Sequence, residues 1–447
     1  MTGDSGHTSS RPIGVDLFAG AGGMSLGFEQ AGFNIIAAVE VDPVHAAVHE
    51  YNFPNTAVLA RSVADVTGDD IRKEAWLGHE PVDCVFGGAP CQGFSMIGKR
   101  ALDDPRNMLV GEFVRLVDEL DARSFVFENV KGLTVGRHRA FVDELIDAFE
   151  KKGFNVHLPY QVLNAANYGV PQSRERFFLI GSRKGEKLPE YPKPVTAYGK
   201  IRDGLPPAPT SKEALGDLPD PEATGDLHVD VLTGARLRTP SSYARKLRGL
   251  DNAADDFSEP RVSNTRGLTS SATTRHTDIS RRRFSETEQG KVEPISRFFK
   301  LHPDGQSNTL RAGTDGSRGA FTSPRPIHYE HNRCVTVREM ARLHGFPDWF
   351  RFHVTKWNGA RQIGNSVPPP LARAIAAEVR DALGEKALKP TDALPLGDPS
   401  LLSMSLKQAA QYFNVPAPDR RRTMKSGATK RKQSEIELAR QAIEAAE

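Results

Sequence analysis

Apolar and polar positions alternate along the first half of the chain in a repeating order. Pro12–Leu17 is a short apolar run suited to a buried strand, the glycine turn AGAGG follows, and a helical stretch, Met24–Ala31, stops at Gly32. Asn34–Val39 is a second strand closed by Glu40, Pro43–Tyr51 a second helix, and Ala57–Arg61 a third strand ahead of SVADVT. Val82–Phe86 and Ser124–Phe127 repeat the strand pattern, with Leu109–Asp121 as an amphipathic helix between them, and FFLIG at 177–181 is a further apolar strand. Strands and helices in this rhythm predict an α/β fold. Its parallel sheet is covered on both faces and presents ligand sites beyond the carboxyl ends of the strands.

The texture changes near residue 184. Between Lys184 and Pro240 the chain is rich in Pro, Gly, Asp and Thr, and through about residue 330 it reads as an irregular, loop-rich module. Helical periodicity returns at Val337–Leu343 and at the alanine-rich Pro370–Leu383. Beyond Gly384 come a short helix at Leu406–Phe413, a basic linker and a charged helix at Gln433–Ala446.

Composition narrows the class. The 447 residues are 38% apolar and 26% charged, which suits a soluble protein of more than one domain. No apolar run is long enough to span a bilayer, and the polar opening MTGDSGHTSSRP has no signal core, so a cytoplasmic protein is expected. Cys84, Cys91 and Cys334 form no C-x-x-C pair, which argues against a disulfide framework or a metal site. A net charge of +3 names no partner, but eleven Lys/Arg against five Asp/Glu lie between Arg236 and Arg283, and a second basic run spans Arg420–Lys432. Such runs are either solvated loops or phosphate contacts.

The candidate chemistry falls at strand ends. The turn Phe18-Ala19-Gly20-Ala21-Gly22-Gly23, leading into Met24, brings bare N–H groups to a helix start, a site for an anion or carboxylate. Ser25 stands where a dinucleotide fingerprint has its third glycine, so that motif is not matched cleanly. Glu40 ends the second strand where an acid can hold ribose hydroxyls, and Asp65 ends the third and can accept from an adenine amine; plain surface solvation is the alternative for each. In the loop GGAPCQGFSMIGKR (87–100), Cys91 follows a proline and three small residues, an exposed setting in which a thiolate can form. Cys84 and Cys334 lie inside apolar runs and read as buried hydrophobes. Glu128, in FVFENV, would stand near that loop, and the arginine forks of QSRER, Arg174 and Arg176, recognise a carbonyl or carboxylate, or pair internally with Glu175 or Glu128.

DLFAGAGG, PCQGFS, ENV, QSRER and RQIGNSVPPPLA (361–372), in this order, resemble the DNA cytosine-5 methyltransferases over about residues 12–183 and 333–383. The resemblance implies a Rossmann-like S-adenosylmethionine-dependent methyltransferase sheet with a second, irregular target-recognition domain. It divides the chain into a catalytic and cofactor-binding domain (11–183), the target-recognition domain (184–335), a return segment completing the catalytic domain (336–385) and a basic C-terminal extension (386–447). It makes Cys91 the nucleophile toward C6 of a flipped cytosine in duplex DNA, under a lid formed by loop 91–106. Glu128 would hydrogen-bond the ring nitrogen and exocyclic amine, Arg176 the base carbonyl, and Arg174 would support the loop. For the cofactor it implies that Phe18 stacks on adenine, Glu40 holds the ribose, Asp65 the adenine amine and Leu109 lines the pocket, while Asn365 and Ser366 return to the methionine moiety. VTVREMARLHGFP resembles the family's scaffold for the recognition module. A prokaryotic, monomeric, nucleoid-associated enzyme of a restriction-modification system is expected, with a cognate endonuclease as functional partner. The rivals are a transfer-RNA cytosine-5 methyltransferase, a nicotinamide-dependent oxidoreductase, and a non-catalytic DNA-binding protein.

Overall fold

A computed structural model describes residues 11–90, 108–135, 139–199, 204–224, 230–234, 236–251, 253–262, 267–314 and 322–418. Cys91, the loop 91–106, the basic run Arg420–Lys432 and the terminal helix expected at Gln433–Ala446 lie outside them.

The apolar runs become strands β1 (Ile13–Leu17), β2 (Asn34–Val39), β3 (Ala57–Leu59), β4 (Cys84–Gly87), β5 (Ser124–Val130), β6 (Phe154–Val156), β7 (Gln161–Asn164) and β8 (Glu175–Arg183). Helices α1 (Gly23–Gln30), α2 (Pro43–Asn52), α3 (Gly68–Glu74), α4 (Met108–Glu119) and α5 (Arg139–Lys151) fill the spaces between them. The sheet runs β3-β2-β1-β4-β5-β8-β6, with β7 also on β8. The first five strands are parallel, and the order reverses between β1 and β4, where a doubly wound sheet opens its ligand crevice. The expected parallel sheet is present in these five strands, and its far side is antiparallel. FFLIG, in β8, runs antiparallel to β5, because the chain reverses direction between β7 and β8 over a 3₁₀ turn (Ala165–Tyr168) with no crossover helix. Both faces are covered. Phe113, Phe125, Phe127 and Phe149 pack on one and Phe28, Phe86 and Val126 on the other, with the Phe28 and Phe86 rings stacked at 3.6 Å.

Beyond β8 regular structure is sparse: α6 (Ser211–Leu215), α7 (Ser242–Leu247) and α8 (Asp278–Glu286) are short, and the strand pairs are two residues long. What organises this stretch is α9 (Val337–His344), capped by Thr336 and Glu339 in a reciprocal box. Its arginines are buried. Arg338 donates to Thr269 O and Phe350 O, and Arg342 to Asp217, Asp348 and Ala214 O, so irregular segments are tied to one helix by guanidinium forks. The side chains of Thr314 and Thr322 hydrogen-bond each other at 2.8 Å.

Helices α10 (Lys356–Asn365) and α11 (Pro369–Leu383) bring the chain back to its beginning. Helix α11 lies against α1, where Leu371, Ala372, Ile375 and Val379 join Met24 and Phe28 in one core. The approach is close enough that a Cβ on Gly27 would stand 2.7 Å from Arg373 N and Pro369 O. The extension continues as a 3₁₀ turn (Pro399–Ser403) and α12 (Leu406–Tyr412), and Leu401 and Leu402 pack on Val48 and Tyr51 of α2 and on Ala21 of the glycine turn. No helix among the described residues is long and apolar enough to cross a membrane.

Because backbone faces Gly27, Gly27→Ala is expected to push α1 and α11 apart and lower the unfolding free energy by about 1–3 kcal/mol, read from a reduced denaturant midpoint.

Candidate active site

Two loops flank the crevice, one after β1 and one after β4. In the first, Phe18 adopts φ 63°, a left-handed conformation that costs a non-glycine residue about 1–2 kcal/mol and turns the chain away from the strand within one residue. Gly20 and Gly22 also have positive φ, and Ala19 N donates to Val39 O at the end of β2. Gly23 answers to a tertiary demand, since a Cβ there would meet Val367 O at 2.7 Å and Ser366 Cβ at 2.8 Å. The turn is thus sealed from behind by the returning chain.

Glu40 spans the crevice edge. Its Oε2 accepts from Gly20 N and its Oε1 from Asp42 N, both at 2.8 Å. Burial pushes this carboxyl above the ordinary range, against the pull of His45 and the backbone donors. Its neighbour Val41 is 59% exposed and offers apolar surface at the same edge. Asp65 is exposed, but it does not end β3 as expected; it lies six residues further on, in a 3₁₀ turn (Val63–Asp65) capped by Ser62. Leu109 is half-buried at the start of α4. Asn365, last residue of α10, is exposed; Ser366 follows it and is buried, its hydroxyl donating to Gln362 O at 2.7 Å.

Across the crevice, Glu128 near the end of β5 is 8% exposed, and its Oε2 lies directly against Gly88. Arg176 Nε donates to Glu128 Oε1 at 2.9 Å, and the antiparallel register explains why: Val130 faces Arg176, so Glu128 is the diagonal neighbour. Burial pushes the Glu128 carboxyl up while Arg176 and Arg174 oppose it. Asn129 Nδ2 donates to Ala89 O at 3.0 Å, pinning the loop after β4, two residues before Cys91, to the strand that carries Glu128.

Arg174, grouped with the catalytic candidates, is 1% exposed and faces the protein interior. It donates to Leu310 O at 2.9 Å and to Gly364 O and Ser366 O at 2.8 Å, and burial lowers its guanidinium well below the ordinary value. Gln172 works beside it. Its side chain accepts from Leu310 N and contacts His344 Nδ1, and the other ring nitrogen of His344 meets Ser366 O at 3.0 Å. Through these groups β8, the irregular module and the return segment share one buried polar network. Asn129 and Gln172 stand inside ENV and QSRER, and His344 inside VTVREMARLHGFP, but no local pattern marks the buried partners that each of them meets.

A second buried chain lies behind the glycine turn. Ser25 Oγ donates to Asp16 Oδ2 at 2.6 Å and contacts His49 Nε2 at 3.0 Å. Burial pushes Asp16 up to about 8 and His49 down to about 3. Ser25, the residue that spoils the dinucleotide fingerprint, is therefore the link between two buried titratable groups.

The fold and site together define a doubly wound α/β enzyme with a glycine turn and acidic strand ends on one side of its crevice and a carboxyl–guanidinium pair on the other. The profile of the C-5 cytosine-specific DNA methylase family matches residues 14–381. The chain belongs to that family and is a cytosine-C5 DNA methyltransferase. It is 54% identical over 406 residues to the Type II methyltransferase M.XorII of Xanthomonas oryzae, covering 91% of this chain and 93% of that protein. It is 35% identical to the Type II methyltransferase M1.HphI of Haemophilus parahaemolyticus, over 82% and 86% of the two chains. A crystal structure from E. coli, of a prophage-encoded protein assigned as a DNA modification methyltransferase, superposes with TM-score 0.67 at 32% identity, over 84% of this chain and all of that one.

Asp16 yields a pH prediction. Its folded pKa of about 8 lies above the unfolded value of 3.8, so its contribution to stability is fully present below pH 3.8 and is lost as pH rises toward 8. Asp16→Asn, which keeps an acceptor for Ser25, is expected to flatten the loss of stability between those pH values, measured by urea unfolding across the range.

Proposed function

We propose that this enzyme methylates C5 of a cytosine within a specific duplex DNA sequence, using S-adenosylmethionine, through a transient bond between Cys91 Sγ and C6 of a base flipped out of the helix. The observation that carries this reading is the buried Glu128–Arg176 pair set against Gly88 and tied by Asn129 to the loop that leads to Cys91.

The residues on the other side of the crevice fit the methyl donor. Phe18 offers a half-buried ring on a strained backbone, the glycines of the turn Ala19–Gly23, which leads into Met24, bring the chain close, and Glu40 offers a half-buried carboxylate to hydroxyl donors. Asp65, Leu109, Asn365 and Ser366 complete the set. When bound, S-adenosylmethionine supplies an electrophilic methyl group to C5.

The chain's own residues do the rest. A stacked cytosine cannot be reached, so contacts to the duplex, from residues 184–335 and loop 91–106, offset an extrusion cost of a few kcal/mol. The Cys91 thiolate adds to C6 and the ring gains an electron pair. Glu128, whose raised pKa favours the protonated form, donates to N3 and accepts from the exocyclic amine, so the developing charge is met where it forms. Arg176 reaches the base carbonyl while holding Glu128, and Arg174 keeps the return segment seated. After methylation the C5 proton leaves, the electron pair expels the thiolate, and the C6–Sγ bond breaks. The enzyme acts as a monomer on prokaryotic nucleoid DNA in the cytoplasm, paired with an endonuclease of the same specificity.

Duplex DNA carrying 5-fluorocytosine in its recognition sequence, which bisulfite sequencing of expressing cells would identify, is expected to form a denaturation-resistant adduct with the wild type and none with Cys91→Ala. Normal methylation by that variant, or methyl incorporation into tRNA and not duplex DNA, would overturn the reading. Glu128→Gln is expected to retain DNA and cofactor binding while slowing single-turnover methyl transfer by about 10²–10⁴-fold. The fall in rate as pH rises through the raised Glu128 pKa should disappear with it.

A further inference from the structure

Asp65 has a neighbour that the mechanism does not use. Its 3₁₀ turn turns Val63 and Val66 inward, where both join the core with Val110 and Val114 of α4, and leaves Asp65 outside. The carbonyls of those two valines accept from a single nitrogen, Arg115 Nη2, at 2.9 Å each. Arg115 is itself held on both sides. Glu112, one turn earlier on α4, pairs with its Nε, and both oxygens of Glu119, one turn later, accept from Nη1 at 2.8 Å. Glu119 also accepts from Gly68 N at 2.8 Å, at the start of α3. A three-residue turn has too few bonds of its own to fix a side-chain direction, yet this one is clamped at its first residue, just past its last, and again at Gly68.

We propose that Arg115 is a positioning residue for the adenine end of the cofactor site: by bracketing Ala64–Asp65 between two fixed carbonyls, it aims the Asp65 carboxylate at the adenine amine. The inference rests on the reading of Asp65 given above. Arg115 touches no substrate, and its effect is confined to how well the site distinguishes an amine from another group at that position.

The test compares S-adenosylhomocysteine with S-inosylhomocysteine, in which the exocyclic amine is replaced by a carbonyl oxygen, by calorimetric titration of the full-length enzyme. A carboxylate aimed at the amine makes the wild type favour the adenine compound by about tenfold or more. Asp65→Asn is expected to bring that ratio down to within about twofold, and Arg115→Ala to lower it at least about threefold. Arg115→Lys, which keeps the charge but at most one carbonyl bond, should give an intermediate ratio, and it supplies the same comparison if the alanine variant does not fold. If Asp65→Asn removes the discrimination and the Arg115 variants keep it in full, the role of Arg115 is overturned while that of Asp65 stands. Equal weakening of both compounds by the Arg115 variants also overturns it, as general loosening. If Asp65→Asn itself leaves the ratio unchanged, the assignment of Asp65 fails, and the proposal for Arg115 fails with it.

Discussion

One side of the crevice is backed by residues 361–383, which return to lie against residues 22–28, and one buried cation anchors that return. Arg174 has almost no solvent access and places its guanidinium on three backbone carbonyls, two of them at the junction of α10 and α11. A charge so enclosed is tolerated because carbonyls meet both of its terminal nitrogens, and removing the guanidinium would strand those carbonyls in the interior. Steric demands point the same way. Gly23 and Gly27 leave room on α1 only as wide as a backbone, and Val367 and α11 fill it. The glycines and the arginine are two halves of one joint, which closes the back of the glycine turn and leaves its front open.

Around that joint lie three acids, Asp16 and Glu128 buried and Glu40 half-buried. Glu40, Glu128 and Asp16 all lie where desolvation raises their pKa, yet their surroundings separate their parts. Glu40 meets backbone donors, which suit a charged acceptor. Glu128 meets a single guanidinium beside a loop that approaches because its residues are small. Asp16 meets only Ser25 and, through it, a neutral His49, an arrangement that supports the turn from beneath and has no opening to a ligand. Equivalent carboxyl groups acquire different work from what faces them.

The extension after Leu383 adds a further brace. Its described part runs back across α2, where Gly397 N donates to Tyr51 O and Val354 N to Leu402 O, and its leucines reach Ala21. The second alanine of the glycine turn therefore shares a cluster with the C-terminal side of the chain, and the 54% identity with M.XorII extends over 406 residues, more than the 14–381 span matched by the family profile.

Much of this was legible in the residues. The strand–turn–helix opening, the strand end at Glu40, the burial of Cys84 and Cys334 and the long helix near Pro370–Leu383 follow from periodicity, glycine placement and motif order, all of which act over a few residues, whereas β5 runs two residues past Glu128 to Val130. Other features had no local signal. The antiparallel β8 depends on a pairing between β5 and a strand some fifty residues later, and FFLIG reads the same in either direction. Asp65 sits off the strand end because β3 stops at Leu59, a boundary set by how far β2 runs beside it. The sequence by itself determined the order of strands, turns and helices and which motif residues follow the first two strands, because side-chain alternation and turn chemistry are properties of neighbouring residues. Only the tertiary structure decided what each of them meets, Arg174 its three carbonyls, Glu128 its guanidinium and Gly23 the returning chain, because those partners are set by long-range packing that no local pattern records.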